Sequence, residues 1–169
     1  MRQQDRDHAF SEYVAAQRAR LVRTARLLTG GDEPAAEDLV QVTLTRLYVR
    51  WPRVVRADDP VAYGFRSLTN TFLDERRRAH RRREVSRDVL PERIAPSDDA
   101  DQRALVLAAL RELPPRQRAV VVLRHFLEYD VAGTAAVLGC TDGTVKSQNA
   151  KALGRLRELL GAHALTEGS

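Results

Sequence analysis

The chain has 169 residues, 43% of them hydrophobic and 5% aromatic, which excludes a wholly disordered protein and is long enough for two minimal domains. The net charge is +5, nearly all of the basic residues are arginine, and Lys146 and Lys151 are the only lysines, a balance that suggests a polyanionic partner. Abundant Ala, Leu and Arg, with β-branched residues scattered rather than alternating, favour an all-α fold over sheet.

In chain order, Phe10, Val14, Leu21, Ala25 and Leu28 recur at helical spacing, and Gly30 with Gly31 ends the pattern. Asp32 offers an N-cap, with Pro34 in the first turn and Glu37 and Asp38 near the positive end of the dipole, for a helix running to about Trp51. Its predicted buried stripe is Ala36, Val40, Leu44, Leu47 and Trp51, which leaves Asp38, Gln41, Thr45 and Arg46 flanking it.

Breakers and charges fill 52–59, and Pro60 restarts a helix that continues through Leu73 into DERRRAHRRR. Val61, Phe65, Leu68 and Phe72 share one face of it, and Tyr63, Asn70, Asp74, Arg77 and Arg81 the other. One face packs and the other is free to bind. Glu84 to Asp101 holds six acids, two arginines, Pro91 and Pro96, the composition of a linker.

Beyond it, helices are expected over Ala104 to Leu113, Arg116 to Leu127, Val131 to Leu138 and Asp142 to Leu160, with Pro114 and Pro115 as a break and a frayed tail after Gly161. The reading therefore divides the chain into a domain at 8–83, a linker at 84–101 and a second domain at 102–161. No apolar run is long enough to cross a membrane, and MRQQDRDHAF lacks the features of a secretory signal, so the protein is expected in the cytoplasm with no membrane partner. The lone thiol of Cys140 reads as a packing residue, and with four scattered histidines it gives no metal-ligand spacing; no cofactor is expected.

Val131 to Leu160 carries the most specific signal, a helix-turn-helix whose turn lies at Gly139 to Thr141 and whose second helix is capped by Thr141. Val145, Ala152, Leu153, Leu156 and Leu160 make its packing face, so Gly143, Thr144, Lys146, Ser147, Gln148 and Lys151 are candidates for major-groove contact. Asn149 lands on the packing side. The arginine run, Arg76, Arg77, Arg78, Arg81, Arg82 and Arg83, suits sequence-independent phosphate binding, and Asn70 and Tyr63 on the same helix suit base contact or stacking.

AEDLVQ (Ala36 to Gln41), a helix ending at Trp51, NTFLDERRR (Asn70 to Arg78), a linker, LPPRQRAVVVLRHF (Leu113 to Phe126) and GTVKSQ (Gly143 to Gln148), in that order, resemble an extracytoplasmic-function (ECF) sigma factor of the sigma-70 family, close to the actinobacterial sigma-E subgroup. The resemblance implies a subunit that directs bacterial RNA polymerase to promoters and assists their opening. It implies that Asp38, Leu39, Gln41 and Thr45 contact the polymerase core, that the helix ending in the arginine run engages the minus-ten element, and that the helix-turn-helix reads the minus-thirty-five element. Many members of that family are held by an anti-sigma factor, although no residue here reports one. Gly133, Gln148 and Val42 stand where the family often has glutamate, arginine and an acid.

Two other classes weigh less. A stand-alone dimeric helix-turn-helix regulator leaves DLVQ and the arginine run without a joint purpose, and the chain has no GxSxG, P-loop or metal-spaced motif of an enzyme. A flexible linker of 18 residues spans about 25 Å on average and about 60 Å at full extension, whereas one DNA turn is already about 34 Å. Two domains reading elements more than a turn apart must therefore hold it nearly extended, on a scaffold that polymerase supplies.

Overall fold

The computed structural model describes residues 1–82 and 98–166, with side chains at 1–82 and 100–161. Among these the chain forms eight α-helices and no strand: α1 (Gln3–Leu28), α2 (Glu33–Val49), α3 (Trp51–Val54), α4 (Pro60–Arg82), α5 (Asp98–Glu112), α6 (Pro115–Val121), α7 (Val131–Leu138) and α8 (Asp142–Thr166). A π-helical turn, Val122–Phe126, prolongs α6.

α1 to α4 form one bundle, in which α2 lies between α1 and α4. Asp32 caps α2 as its sequence position requires, accepting the Ala35 N–H at 3.1 Å. The expected stripe of α2 is buried, and it is wider than expected: Leu39 is 1% exposed and Thr43 fully buried, because α2 packs on two neighbours at once. α2 also stops at Val49 rather than at Trp51. Pro52 has no N–H to give the Tyr48 carbonyl, and the Arg6 guanidinium of α1 donates to that oxygen instead. Trp51 then opens α3 inside the segment expected to be irregular, which buries Val54.

That same junction explains why α1 begins at Gln3, not near Phe10. Gln3 and Asp7 both bond the Tyr48 hydroxyl, at 2.9 and 2.6 Å, and the Phe10 ring meets those of Tyr48 and Trp51 edge-on at 5.1 and 5.3 Å. α5 begins at Asp98, so the last four residues read as linker are helical, and α8 continues past Gly161 to Thr166 where a frayed tail was expected. The remainder of the linker and Arg83 lie outside the described residues.

α5 to α8 pack on the first bundle and not only on one another. α5 lies against α1, and α6 and α7 against α4, so that Leu68 and Phe72 of α4 share a buried cluster with Val120, Leu123, Val137 and Leu138. The polar centre of this interface is Arg118, 3% exposed. One of its terminal nitrogens donates to the Leu28 carbonyl at 2.7 Å, and the other to the Arg111 and Leu113 carbonyls at 2.9 and 3.0 Å. Arg111 in turn donates to the Gly30 carbonyl at 2.7 Å. Both guanidiniums thus sit at the C-terminal end of α1, where the helix dipole favours a cation.

Gly30 is needed twice over at this contact. Its φ is +63°, and a Cβ there would meet the Arg111 Cβ at 2.6 Å. Gly30→Ala should therefore cost about 1–3 kcal/mol and push α5 off α1. Arg118→Met strands three carbonyls at about 1–3 kcal/mol each, partly offset by removing a buried charge, for an expected net loss of about 2 kcal/mol. Urea denaturation measures both losses. The single tryptophan and single cysteine fall in different bundles, so energy transfer from Trp51 to an acceptor on Cys140 should drop in each variant relative to the parent.

Candidate nucleic-acid and polymerase interfaces

α7 and α8 meet as the predicted helix-turn-helix. The Asp130 carboxylate caps α7 on the Gly133 N–H at 2.6 Å. Gly139 then turns the chain with φ +64°, the Cys140 N–H closes on the Ala135 carbonyl at 3.1 Å, and the Thr141 hydroxyl caps α8 on the Thr144 N–H at 3.1 Å. Val145, fully buried, pins α8 to the core, and Ala152 lies on the same face. Leu160, expected there too, is 37% exposed: the helix has by then run past its partners.

Of the reading-helix candidates, Gly143, Thr144, Lys146, Ser147 and Lys151 are exposed, a cationic and hydroxylic row at a helix N-terminus. Gln148 is half-buried and faces the first bundle. Asn149 is half-buried, its amide oxygen 2.9 Å from His125 Nε2, in keeping with its place on the packing side.

α4 supplies the second surface. Asn70, Arg77, Arg78 and Arg81 are exposed, and Arg77 is paired with Asp74. Arg76 is half-buried, its guanidinium 5.7 Å from the centre of the Phe72 ring. Tyr63 lies half-buried against the core cluster, so its ring is partly spent on packing and less of it is free for a base than its place beside Asn70 suggests.

α2 supplies the third. Asp38, Gln41 and Thr45 are exposed as expected, whereas Leu39 is core and cannot touch a partner, which corrects its assignment as a polymerase contact. Glu75 of α4, unread in the sequence, borders this face. Burial raises its carboxyl above the ordinary range; Arg46 opposes that shift and Asp38 adds to it. Asp38 and Glu75 thus place acidic charge along the seam between α2 and α4, above the Arg46 guanidinium that bonds Thr71 at 3.1 Å.

The α4 arginines and one α8 candidate, Gln148, converge. Arg76, Arg77 and Arg81 of α4 and Gln148 of α8 line one open interdomain cleft of about 960 Å³, together with Arg111, Arg116 and Arg118. Arg111, Arg116 and Arg118 are not among the candidate site residues read from the sequence, although Arg116 and Arg118 lie in the LPPRQRAVVVLRHF stretch that carries the resemblance. Among the described residues there is no helix long and apolar enough to cross a membrane and no group of three or more potential metal ligands.

Comparison with known proteins adds a family dimension. The family profile described as "Sigma-70 region 2" matches residues 13–82, and that described as "Sigma-70, region 4" matches residues 103–156. The chain is 43% identical over 160 residues to the RNA polymerase sigma-E factor of Streptomyces coelicolor, covering 92% of this chain and 88% of that one. It is 35% identical to the ECF RNA polymerase sigma factor SigM of Mycobacterium tuberculosis, over 91% of this chain and 78% of the relative. Among solved structures it is similar to the sigma factor RpoE of Bartonella quintana in complex with the anti-sigma factor NepR, with a TM-score of 0.68 and 27% identity over 90% of this chain and 97% of that one.

Thr141→Ala should lower stability by about 1 kcal/mol through loss of the α8 cap. Amide exchange at Thr144 and Val145 should quicken while that of α2 stays unchanged, the pattern that separates a lost cap from general unfolding.

Proposed function

The chain belongs to the sigma-70 family as an ECF sigma factor, a promoter-directing partner of RNA polymerase, and from that premise we propose how its surfaces divide the work. The exposed α2 row, Asp38, Gln41 and Thr45, with Glu75 beside it, docks on the polymerase core. α4 engages the minus-ten element: Arg76, Arg77, Arg78 and Arg81 hold phosphates, and Asn70 contacts a base, with Tyr63 offering its exposed edge. α8 reads the minus-thirty-five element through Lys146, Ser147 and Lys151, with Gly143 and Thr144 admitting the phosphate backbone at the helix N-terminus. Gln148 joins that set once the two bundles separate.

The observation that carries this division is the exposure of three chemically distinct rows, one acidic and two basic, on three separate helices. Because the α4 arginines and Gln148 of α8 line one cleft, the two helices lie closer together in this arrangement than promoter elements more than a helical turn apart require. Polymerase binding therefore has to part the bundles and hold the linker extended. We assign no catalytic step to the chain itself: it works in the cytoplasm, where polymerase works, by positioning DNA on an enzyme that supplies the chemistry. The similar sigma factor RpoE is in complex with an anti-sigma factor, and we include a protein of that kind among the partners here. A stand-alone regulator would use α8 but has no need of the α2 row.

Run-off transcription with sigma-free core polymerase checks the reading. Initiation should require both core and this chain, and tight promoter binding by the chain alone would overturn it. Asp38→Ala should weaken core binding about fivefold or more at unchanged stability, a loss of roughly 1 kcal/mol. Arg78→Ala should lower the salt dependence of holoenzyme binding by about 0.9 in log–log slope on every promoter, whereas Lys146→Ala, if it meets a base edge, should cost about 1–3 kcal/mol at one base position.

A further inference from the structure

Among the described residues, the interdomain cleft holds more positive charge than its lining carboxylates neutralise. Six arginines line it: Arg76, Arg77 and Arg81 from α4, and Arg111, Arg116 and Arg118 from α5 and α6. Among the described residues the carboxylates lining it are Asp32 and Glu112, and Asp32 is engaged in capping α2. Among the described residues, none of Arg76, Arg81, Arg111, Arg116 and Arg118 forms an ion pair.

The innermost of them is the least compensated. Arg118 is 3% exposed, and its terminal nitrogens meet only neutral carbonyls, while its Nε is buried with no hydrogen-bond partner. Arg118 and Arg76 lie against the same Phe72 ring, each 5.7 Å from its centre. Burial, then the charges of Arg76 and Arg111, lower the Arg118 pKa to about 10, which leaves it cationic at neutral pH.

A multivalent anion relieves this repulsion from both sides at once. Guanidinium groups bind phosphate oxygens bidentately and tolerate desolvation better than ammonium groups, and Arg76, Arg81, Arg111 and Arg116, unpaired with carboxylates among the described residues and backed by the charge of Arg118, suit a chain of linked phosphates over a single one. The volume, about 960 Å³, is at the scale of a small-molecule site and not of a duplex.

We propose that this cleft binds a linear polyphosphate group, free or as the tail of a nucleotide, and that the bound anion ties the two bundles together. The site stands on the geometry of the cleft and not on the promoter reading. Its effect would be to favour the docked arrangement over the separated one that polymerase needs.

Calorimetry on the full chain at fixed ionic strength tests it, with inorganic tripolyphosphate, ATP and sulfate as separate titrants. Tripolyphosphate should bind once per chain and at least tenfold tighter than sulfate. ATP tighter than tripolyphosphate assigns the site to a nucleotide, and the reverse order to the inorganic chain. Arg116→Gln and Arg76→Gln should each weaken binding about tenfold, the scale of one charge-assisted contact, while Arg53→Gln, an equal loss of charge at an exposed position outside the cleft, should leave it within twofold.

In Gly30→Ala, which keeps every cleft arginine, tripolyphosphate should restore part of the lost energy transfer between Trp51 and labelled Cys140. Binding no tighter than sulfate, several anions per chain, equal weakening by Arg53→Gln, or no recovery in Gly30→Ala would each overturn the proposal.

Discussion

Arg118 sits where α1 ends, α4 passes and α5 turns into α6, and its guanidinium closes three backbone carbonyls that would otherwise face one another across a dry interface. A buried cation bonded only to neutral oxygens is an expensive way to join two bundles, since each bond must repay desolvation of a full charge. What it offers is position. The acceptors belong to α1 on one side and to the α5–α6 corner on the other, so the guanidinium fixes the register of the second bundle on the first, and with it the approach of α8 to the arginine run of α4.

A wholly apolar contact of the same area would dock the bundles more tightly and would separate less readily. Here the apolar part, Leu68 and Phe72 against Val120, Leu123 and Val137, surrounds a polar centre whose acceptors water can also satisfy. Parting the bundles therefore returns hydration to Arg118 and to the end of α1 while exposing a modest apolar surface. The charge in the cleft pushes the same way, because Arg76 on the first bundle opposes the charge on Arg118 of the second. The fold is thus held by packing and loosened by electrostatics at a single place.

Local chemistry was legible in the sequence wherever one segment settles its own conformation. Asp32, Thr141 and Gly139 take the cap and turn roles that their positions announce, and α4 buries the face that its apolar spacing predicts. Leu39 was misread because a stripe at three- and four-residue spacing describes a helix with one neighbour, and α2 has two. The Tyr48 carbonyl left open by Pro52 is filled from residue 6, which no local pattern reports. Arg118 looks like any charge near a helix start, yet it lies three and four residues before buried Val121 and Val122, on the face that packs. That spacing was the available signal, and charge argued against reading it as core.

The balance at the interface sets how much of the protein is ready for polymerase. If parting the bundles costs about 3 kcal/mol, roughly 1% of free chains are open, and the apparent affinity for any partner of the open form falls about a hundredfold below its intrinsic value. A ligand that binds only the docked form deepens that penalty in proportion to its saturation, and a partner that grips the α2 row need pay it only once. The α2 row is exposed in the docked form and does not line the cleft. A partner bound at the α2 row would therefore meet the chain before the bundles separate, so that its binding energy would be available to part them.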